Sequence, residues 1–174
     1  VVMFAKTSKA LSRLNAMFQS SLVDKRYLAI VRNRPLQEKG HLTGWLLRNE
    51  KQNRSYSYDH KVTGSKNAVL DYRMLASSLN YHLLEVKLET GRHHQIRCQL
   101  SNIGCPIKGD LKYGAPRSNP DGSISLHAYS LAFEHPISHL QIFITSPLPQ
   151  DSLWQSFDKD VKTAITPASL SEWP

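Results

Sequence analysis

Residues 90–97 constrain the fold of this chain more than any other feature. They place two arginines, two histidines and a glutamine directly after the apolar run of residues 81–88. A buried guanidinium or imidazole without a partner costs several kcal/mol, so few core elements can carry this many polar side chains. The arrangement is therefore typical of a strand followed by a segment that holds an anion, a base or a catalytic carboxylate.

Helical spacing fits residues 92–103, with Thr90 as the N-cap. In such a helix His93 and Arg97 lie one turn apart, while His94 lies on a neighbouring face. Together with the free backbone N–H groups of the first turn, these side chains would form an anion-binding cluster. The same run could instead be a solvated basic helix face. The residues expected to face inward are Ile96, Leu100 and Ile103.

The hydrophobic pattern of the whole chain predicts an α+β fold with a mixed, mainly antiparallel sheet and a few packed helices. The predicted strands are residues 26–31, 40–47, 69–79, 81–88, 124–133 and 139–146, and residues 1–5 are also strand-like. A first helix is predicted after Thr7, with apolar positions at Leu11, Leu14, Phe18 and Leu22. Residues 51–66 are predicted as an exposed loop or hairpin, residues 109–122 as a loop, residues 151–160 as a short helix and the remainder as a tail.

Charge restricts the possible partners of the chain. Its formal net charge is +8, its pI is about 9.6, and Lys and Arg are spread along the whole sequence. Such a distribution favours polyanions, although a basic enzyme with no nucleic-acid role would have the same composition. Cys98 and Cys105 do not make a disulfide framework, and no apolar run approaches the length of a membrane span. We therefore expect a cytoplasmic protein with no membrane contact.

Three groups of residues allow a purely structural interpretation beside a functional one. Taken alone, Tyr27 in its apolar strand is typical of a core tyrosine. His93, His94 and Cys98 lack the spacing of structural zinc ligands, and no metal site is predicted. The polar segment of residues 51–66 carries four cations, which either form a solvated loop surface or contact a phosphate backbone. These cations are Lys51, Arg54, Lys61 and Lys66.

Three sets of residues have the spacing of one family's motifs. The first set is Thr90, Gly91, Arg92, His94, Gln95, Ile96, Arg97, Gly104, Pro106, Ile107, Gly109, Asp110, Tyr113 and Gly114. The second is the run Lys25-Arg26-Tyr27-Leu28-Ala29-Ile30-Val31, and the third is Leu126-His127-Ala128 with Phe133, His135 and Pro136. Over most of its length the chain thus resembles the RluA-type RNA pseudouridine synthases.

The resemblance implies the pseudouridine synthase catalytic fold and isomerisation of uridine to pseudouridine in structured ribosomal or transfer RNA, without cofactor or metal. The target base would be flipped into a pocket, where an aspartate acts as nucleophile. As catalytic residues, Tyr27 would contact the flipped base and Arg97 would pair with that aspartate. Substrate-binding roles would fall to Lys25, Arg92, His94, Gln95 and Leu126. RNA is the partner implied, and no protein partner is implied.

The chain departs from the family's pattern in two places. The family's first motif, which contains the aspartate, runs into an apolar strand and Ala-Lys, and residues 1–6 resemble that strand. We therefore expect residues 1–174 to be a single catalytic domain that lacks its N-terminal portion and is inactive as given, with the nucleophile upstream of Val1. The alternative is a non-catalytic RNA-binding or RNA-remodelling module. The second departure is Gln99, where the family often has histidine, and we expect altered hydrogen bonding there.

Overall fold

The computed structural model describes residues 1–167 of the chain. The helices are α1 (Ser8–Gln19), α2 (Gln95–Asn102), α3 (Ser152–Ser156) and α4 (Asp158–Ala164), with a 3₁₀ helix at Leu111–Tyr113. The strands are β1 (Asp24–Val31), β2 (Lys39–Asn49), β3 (Arg54–Tyr58), β4 (Lys66–Ser77), β5 (His82–Leu88), β6 (Leu126–Glu134) and β7 (Gln141–Thr145). The α+β class and the mainly antiparallel sheet are therefore confirmed.

The elements fall into two compact units. The central unit spans residues 28–127 and contains β2 to β5, α2 and the 3₁₀ helix. The terminal unit combines residues 1–27 with the described residues from 128 onward, and it contains α1, β7, α3 and α4. The chain passes from one unit to the other within β1 and again within β6.

In the central unit, β2 to β5 form an antiparallel arrangement in the order β3-β2-β4-β5. Arg73 of β4 lies opposite Glu85 of β5, and its Nε donates to Glu85 Oε2 at 2.6 Å. Because Glu85 is fully buried, a one-residue slip of this pairing would leave its charge without that partner, which specifies the register. A core cluster beneath α2 consists of Leu46, Ala68, Cys98 and Tyr113.

In the terminal unit, β6 and β7 pair antiparallel, with Leu131 opposite Ile144. The helix α1 begins at its predicted cap, because the Thr7 hydroxyl accepts a hydrogen bond from Ala10 N–H. Its buried residue is Met17, which packs with Val23, Leu131 and Phe133. No helix among the described residues is both long enough and apolar enough to cross a lipid bilayer.

One local prediction in the central unit is confirmed and another is wrong. Residues 51–66, predicted as a loop or hairpin, take part in a hairpin, because Arg54–Tyr58 forms β3 antiparallel to β2. The helix α2 begins at Gln95 rather than at residue 92, and its N-cap is His94 rather than Thr90. The Thr90 hydroxyl instead bonds to β4 and to Gln95, which keeps residues 90–94 out of the helix.

Predictions for the terminal unit also need correction. Of the four apolar positions predicted for the first helix, Leu11, Phe18 and Leu22 are exposed, and the buried residue is Met17 with Leu14 packed beside it. Residues 1–5 belong to no strand. The predicted helix at residues 151–160 is two short helices, α3 and α4, and α4 continues to Ala164. The predicted tail lies partly outside the described residues.

Candidate functional site

Arg97 and Asp110 form the central ion pair of the site. Arg97 lies in α2, and Asp110 directly precedes the 3₁₀ helix. The guanidinium donates from Nε to Asp110 Oδ2 and from Nη2 to Asp110 Oδ1, both at 2.7 Å. The Asp110 side chain is 1% exposed and that of Arg97 is 18% exposed. The hydrogen bond to Asp110 raises the pKa of Arg97, against the opposing effect of burial, so the guanidinium keeps its charge.

His94 is a neutral imidazole held between Arg97 and Tyr113. Arg97 Nη1 lies 3.0 Å from His94 Nε2, and His94 Nδ1 lies 3.1 Å from the Tyr113 hydroxyl. A guanidinium can only donate, so Nε2 accepts and the Nδ1 proton is donated to Tyr113. Burial, followed by the positive charge of Arg97, lowers the pKa of His94 to about 4. At neutral pH the network therefore fixes one tautomer of the ring.

Tyr113 joins this network to β3. Its hydroxyl also accepts a hydrogen bond from the Ser55 N–H at 2.8 Å. The buried ring lies 4.9 Å from Arg97 Cζ and 5.1 Å from Arg54 Cζ, distances at which a guanidinium is attracted to an aromatic ring. Burial raises the pKa of Tyr113, so its hydroxyl keeps its proton at neutral pH.

Thr90 and Gln95 fix the backbone before α2. The Thr90 hydroxyl accepts from Val69 N–H and donates to Gln95 Oε1, both at 2.8 Å. Gln95 Oε1 also accepts from Arg92 N–H at 2.9 Å, and Gln95 Nε2 donates to Val69 O at 3.0 Å. These bonds hold His94 at φ 52°, a left-handed conformation that costs about 1–3 kcal/mol for a non-glycine residue. The buried Gln95 amide thus positions the backbone.

Arg92 lines a separate cleft of about 220 Å³, which we call the Arg92 cleft, together with Arg48, Lys66 and His93. No carboxylate lines it. Arg92 Nε donates to Asn67 O at 2.8 Å, which aims an exposed guanidinium without neutralising it. The His93 pKa is lowered by burial first and then by neighbouring cations that include Arg48. The cleft has the charge of an anion-binding surface.

Tyr27 and Lys25 lie on β1 in the terminal unit. Tyr27 is half-buried, and burial raises the pKa of its hydroxyl. Burial lowers the pKa of Lys25, partly opposed by Asp24. Arg26, between them, is fully buried and donates from Nε to Asp24 Oδ1 at 2.6 Å. Because strand side chains alternate, Lys25 and Tyr27 share the face opposite to Arg26.

Within the central unit, the structure brings several of the predicted site residues together. Arg97 and His94 are in direct contact, Gln95 supports the backbone around them, and Arg92 lines the neighbouring cleft. Leu126 is half-buried at the start of β6, where its N–H donates to Ile124 O. Tyr27 and Lys25 belong to the other unit. The catalytic and substrate-binding roles of all these residues stay predictions.

Sequence reasoning gave no role to Asp110, Tyr113 or Ser55. The first two stand in the Gly-Asp and Tyr-Gly motifs, so a signal for them was present. Ser55 carries no local signal, because it reaches the site through the pairing of β3 with β2. An anion-binding cluster was expected at the start of α2, but one of its members, Arg97, is already paired with Asp110. Gln99 is buried and donates to Leu42 O at 3.1 Å and to Ala68 O at 3.3 Å.

Metal-ligating residues come together at one place among residues 1–167. Potential ligand atoms of His41, Asp71 and Glu89 all lie within 4.8 Å of one another. His41 Nδ1 is already hydrogen-bonded to Asp71 Oδ1 at 2.6 Å, and His41 and Glu89 are exposed. This is an ordinary cross-strand pair with an acidic neighbour, and it gives no ground for a metal centre. Cys98 and Cys105 are buried free thiols, as predicted, and burial raises the pKa of Cys98 to about 11.

Comparison with known proteins gives a consistent result. The sequence model of the family described as RNA pseudouridylate synthase matches residues 1–102. The ribosomal large subunit pseudouridine synthase D of Zymomonas mobilis is 35% identical over 159 residues, covering 87% of this chain and 50% of the relative. The uncharacterized RNA pseudouridine synthase YlyB of Bacillus subtilis is 32% identical over 151 residues, covering 87% of this chain and 49% of the relative.

A solved structure supports the fold. Human RNA pseudouridylate synthase domain containing 1 superposes with a TM-score of 0.67 at 25% sequence identity, covering 90% of this chain and 66% of that chain. The chain spans about half the length of the curated relatives described above.

Proposed function

The chain belongs to the RNA pseudouridylate synthase family, and we propose that the protein isomerises uridine in structured RNA to pseudouridine. The observation that carries the proposal is the family match over residues 1–102, a range that contains Tyr27 and Arg97. In this reaction the bond from the ribose to N1 of the base breaks and a bond from the ribose to C5 forms. The proton lost from C5 is balanced by one gained at N1, so no oxidant or reductant is consumed.

In this proposal Arg97 holds the nucleophilic aspartate while Asp110 holds Arg97. A guanidinium has five N–H donors. Asp110 takes Nε–H and one Nη2–H, and His94 takes one Nη1–H. The remaining two donors, one on each Nη, suit a second carboxylate in a bidentate arrangement. Pairing with the guanidinium would keep that carboxylate ionised, as a nucleophile requires.

We place the nucleophile upstream of Val1, so that residues 1–174 alone would not turn over. The geometry of three aspartates in this chain supports the placement. Asp110 is enclosed and paired with Arg97, Asp24 is paired with Arg26, and Asp71 is bonded to His41. A carboxylate committed to such a partner is a poor candidate for attack on a ribose.

The other predicted residues take supporting roles in this proposal. Tyr27 would contact the flipped base, with Lys25 beside it on the same face of β1 and Leu126 as an apolar wall. His94 and Gln95 would keep Arg97 oriented, since both act on the backbone or side chains at the start of α2. The Arg92 cleft would hold backbone phosphates. The name of the Zymomonas mobilis relative makes ribosomal RNA the first substrate to test, with transfer RNA as the other.

The test uses the protein extended upstream through its aspartate motif, and RNA transcribed with uridine tritiated at C5. Because C5 exchanges its hydrogen for the ribose, turnover releases tritium to water. Arg97→Lys should lower the release about 100- to 1,000-fold, the size of effect seen when a preorganised group at a reacting centre is lost. Arg13→Lys, at a half-buried position of α1 in the terminal unit, is the matched control and should release tritium at the wild-type rate.

Two results would contradict the proposal. If the extended protein binds the RNA but releases no tritium from any cellular RNA sequence, it is a non-catalytic RNA-binding module. If Arg97→Lys releases tritium at the rate of Arg13→Lys, then Arg97 does not hold the nucleophile.

A further inference from the structure

A second and larger basic cleft lies in the central unit, and its lining includes neither Arg97 nor any residue of the Arg92 cleft. Its volume is about 770 Å³, and we call it the Arg117 cleft. Arg32 directly follows β1, Tyr81 lies in the β4–β5 hairpin, and Lys108 and Arg117 lie in the loops after α2. Three cations and no carboxylate line it, which favours an anionic ligand.

The cations of the Arg117 cleft are available to a ligand. Arg32 and Arg117 are exposed, and within residues 1–167 neither side chain has an ion pair or a hydrogen bond. Lys108 Nζ donates to Asn119 Oδ1 at 2.6 Å, and Asn119 Nδ2 in turn donates to Ser125 Oγ at 3.2 Å. Because Asn119 is neutral, this bond orients the ammonium group without cancelling its charge.

The floor of the cleft is fixed before any ligand arrives. Lys108 N–H donates to Ile30 O at 2.8 Å, and Lys108 O accepts from Ser125 N–H at 2.9 Å. Gly109 follows at φ +87°, and a Cβ placed there would lie 2.6 Å from Ser123 O. The loop that carries Arg117 is therefore tightly packed around Gly109. Because the loop is already ordered, ligand binding costs little conformational entropy there.

Tyr81 gives the cleft an aromatic surface. Its backbone is held by the hairpin, since Ser78 N–H donates to Tyr81 O at 2.8 Å. The ring is half-buried, and Lys108 Nζ lies 5.9 Å from its centroid. An aromatic ring beside cations is the combination by which proteins bind single-stranded nucleic acid, because the ring stacks a base and the cations hold phosphates.

We propose that the Arg117 cleft binds a single-stranded segment of the RNA substrate, with Arg32, Lys108 and Arg117 on its phosphates and Tyr81 stacked on one base. The identity of the polyanion rests on the proposed function, whereas the site itself rests on the cleft's own geometry. Its lining does not include Arg97, but Gly109 and Gly114 of the lining adjoin Asp110 and Tyr113 of the Arg97 site, so the cleft suits nucleotides that flank the reacting uridine.

The test measures binding of a fluorescent single-stranded RNA to the 174-residue chain between about 50 and 200 mM KCl. Arg32→Gln/Arg117→Gln should reduce the slope of log affinity against log salt by about 1.4, since each phosphate contact to a single strand contributes about 0.7. The control Lys9→Gln/Lys159→Gln removes the same charge from exposed positions of the terminal unit. An equal reduction in the control would overturn the proposal.

Tyr81 is tested separately. Tyr81→Ala should weaken binding about 5- to 150-fold, the range for one stacked base, with an unchanged salt slope. Tyr81→Phe keeps the ring and should bind as the wild type does, which separates stacking from misfolding. If Tyr81→Phe and Tyr81→Ala weaken binding equally, or if free inorganic phosphate competes as well as RNA does, the RNA-binding assignment is wrong.

Failure of this proposal is distinguishable from failure of the proposed function. If Arg32→Gln/Arg117→Gln binds RNA like the wild type while the extended protein releases tritium, only the cleft assignment fails. If the cleft variants lose RNA affinity as described while the extended protein releases no tritium, only the isomerase proposal fails.

Discussion

At the scale of single residues, Arg97 determines which ring nitrogen of His94 carries the proton. Its Nη1 group can only donate, so His94 Nε2 must accept, and the Nδ1 proton is left for Tyr113. Tyr113 then accepts from both His94 and the Ser55 backbone, and its own proton is free for another acceptor. A protonated His94 would place a second cation against Arg97. The neutral imidazole is therefore a condition for the arrangement around Asp110.

Replacing Asp110 should show how strongly the site depends on this ion pair. Asp110→Asn leaves the half-buried Arg97 without its carboxylate, and breaking a buried pair from one side costs about 3–5 kcal/mol. Urea unfolding of the 174-residue chain measures the loss of free energy. The control is Asp158→Asn, which breaks the exposed pair with Lys162 and should cost far less. Equal losses would show that burial of the Arg97–Asp110 pair is without consequence.

His94 should make the protein less stable in mild acid. Its pKa is about 4 when folded, against about 6.5 in the unfolded chain, so the unfolded state binds more protons between these values. The free energy of unfolding therefore decreases as the pH falls from about 6.5 towards 4. Above about pH 6.5, His94 causes no such decrease. His94→Gln removes it, so the stability of the variant relative to wild type should improve from pH 7 to pH 5.

Urea unfolding at several pH values measures the His94 effect. The matched control is His60→Gln, which removes an exposed imidazole outside the site. If His94→Gln and His60→Gln show the same pH dependence, His94 is not the group that burial and Arg97 keep neutral.

At the scale of elements, the sequence predicts well where side chains alternate and poorly where distant residues decide. The alternation in residues 81–88 predicts β5, and the Thr7 cap predicts the start of α1. The strand β3 is polar, so the sequence leaves both a loop and a hairpin open for residues 51–66, and the pairing of β3 with β2 decides between them. The start of α2 is set by Thr90 and Gln95 bonding to Val69 on β4, so helical periodicity extended it too far. Tertiary hydrogen bonds, rather than local propensity, decided both cases.

The loop after α2 allows a matched test of a steric requirement. Gly109 has φ +87°, and a Cβ there would lie 2.6 Å from Ser123 O and 2.8 Å from Asn119 Cγ. Gly122 has φ +72° but no atom within 4 Å of its Cβ position. Gly122→Ala should cost only the left-handed conformation, about 1–2 kcal/mol, while Gly109→Ala should cost clearly more. Equal losses in urea unfolding would show that the loop moves away from Gly109 without penalty.

At the scale of the whole molecule, the net charge is +8, and some of the basic residues that produce it line two clefts. The Arg92 cleft and the Arg117 cleft both belong to the central unit, and neither is lined by a carboxylate. The spread of Lys and Arg along the sequence predicted a basic surface. It did not predict the clefts, because Arg32, Tyr81 and Arg117 come together only through the turns and loops of the folded chain.

If one RNA strand contacts both clefts, their effects on salt dependence should add. Lys66→Gln/Arg92→Gln and Arg32→Gln/Arg117→Gln should each reduce the salt slope by about 1.4, and the quadruple variant by about 2.8. The measurement uses a single-stranded RNA longer than roughly 16 nucleotides, so that one strand can span more than a single subsite. Separate strands in the two clefts would instead give a binding stoichiometry of two and no reduction beyond that of either double variant. Additivity with a stoichiometry of one would make the central unit a continuous path for the substrate.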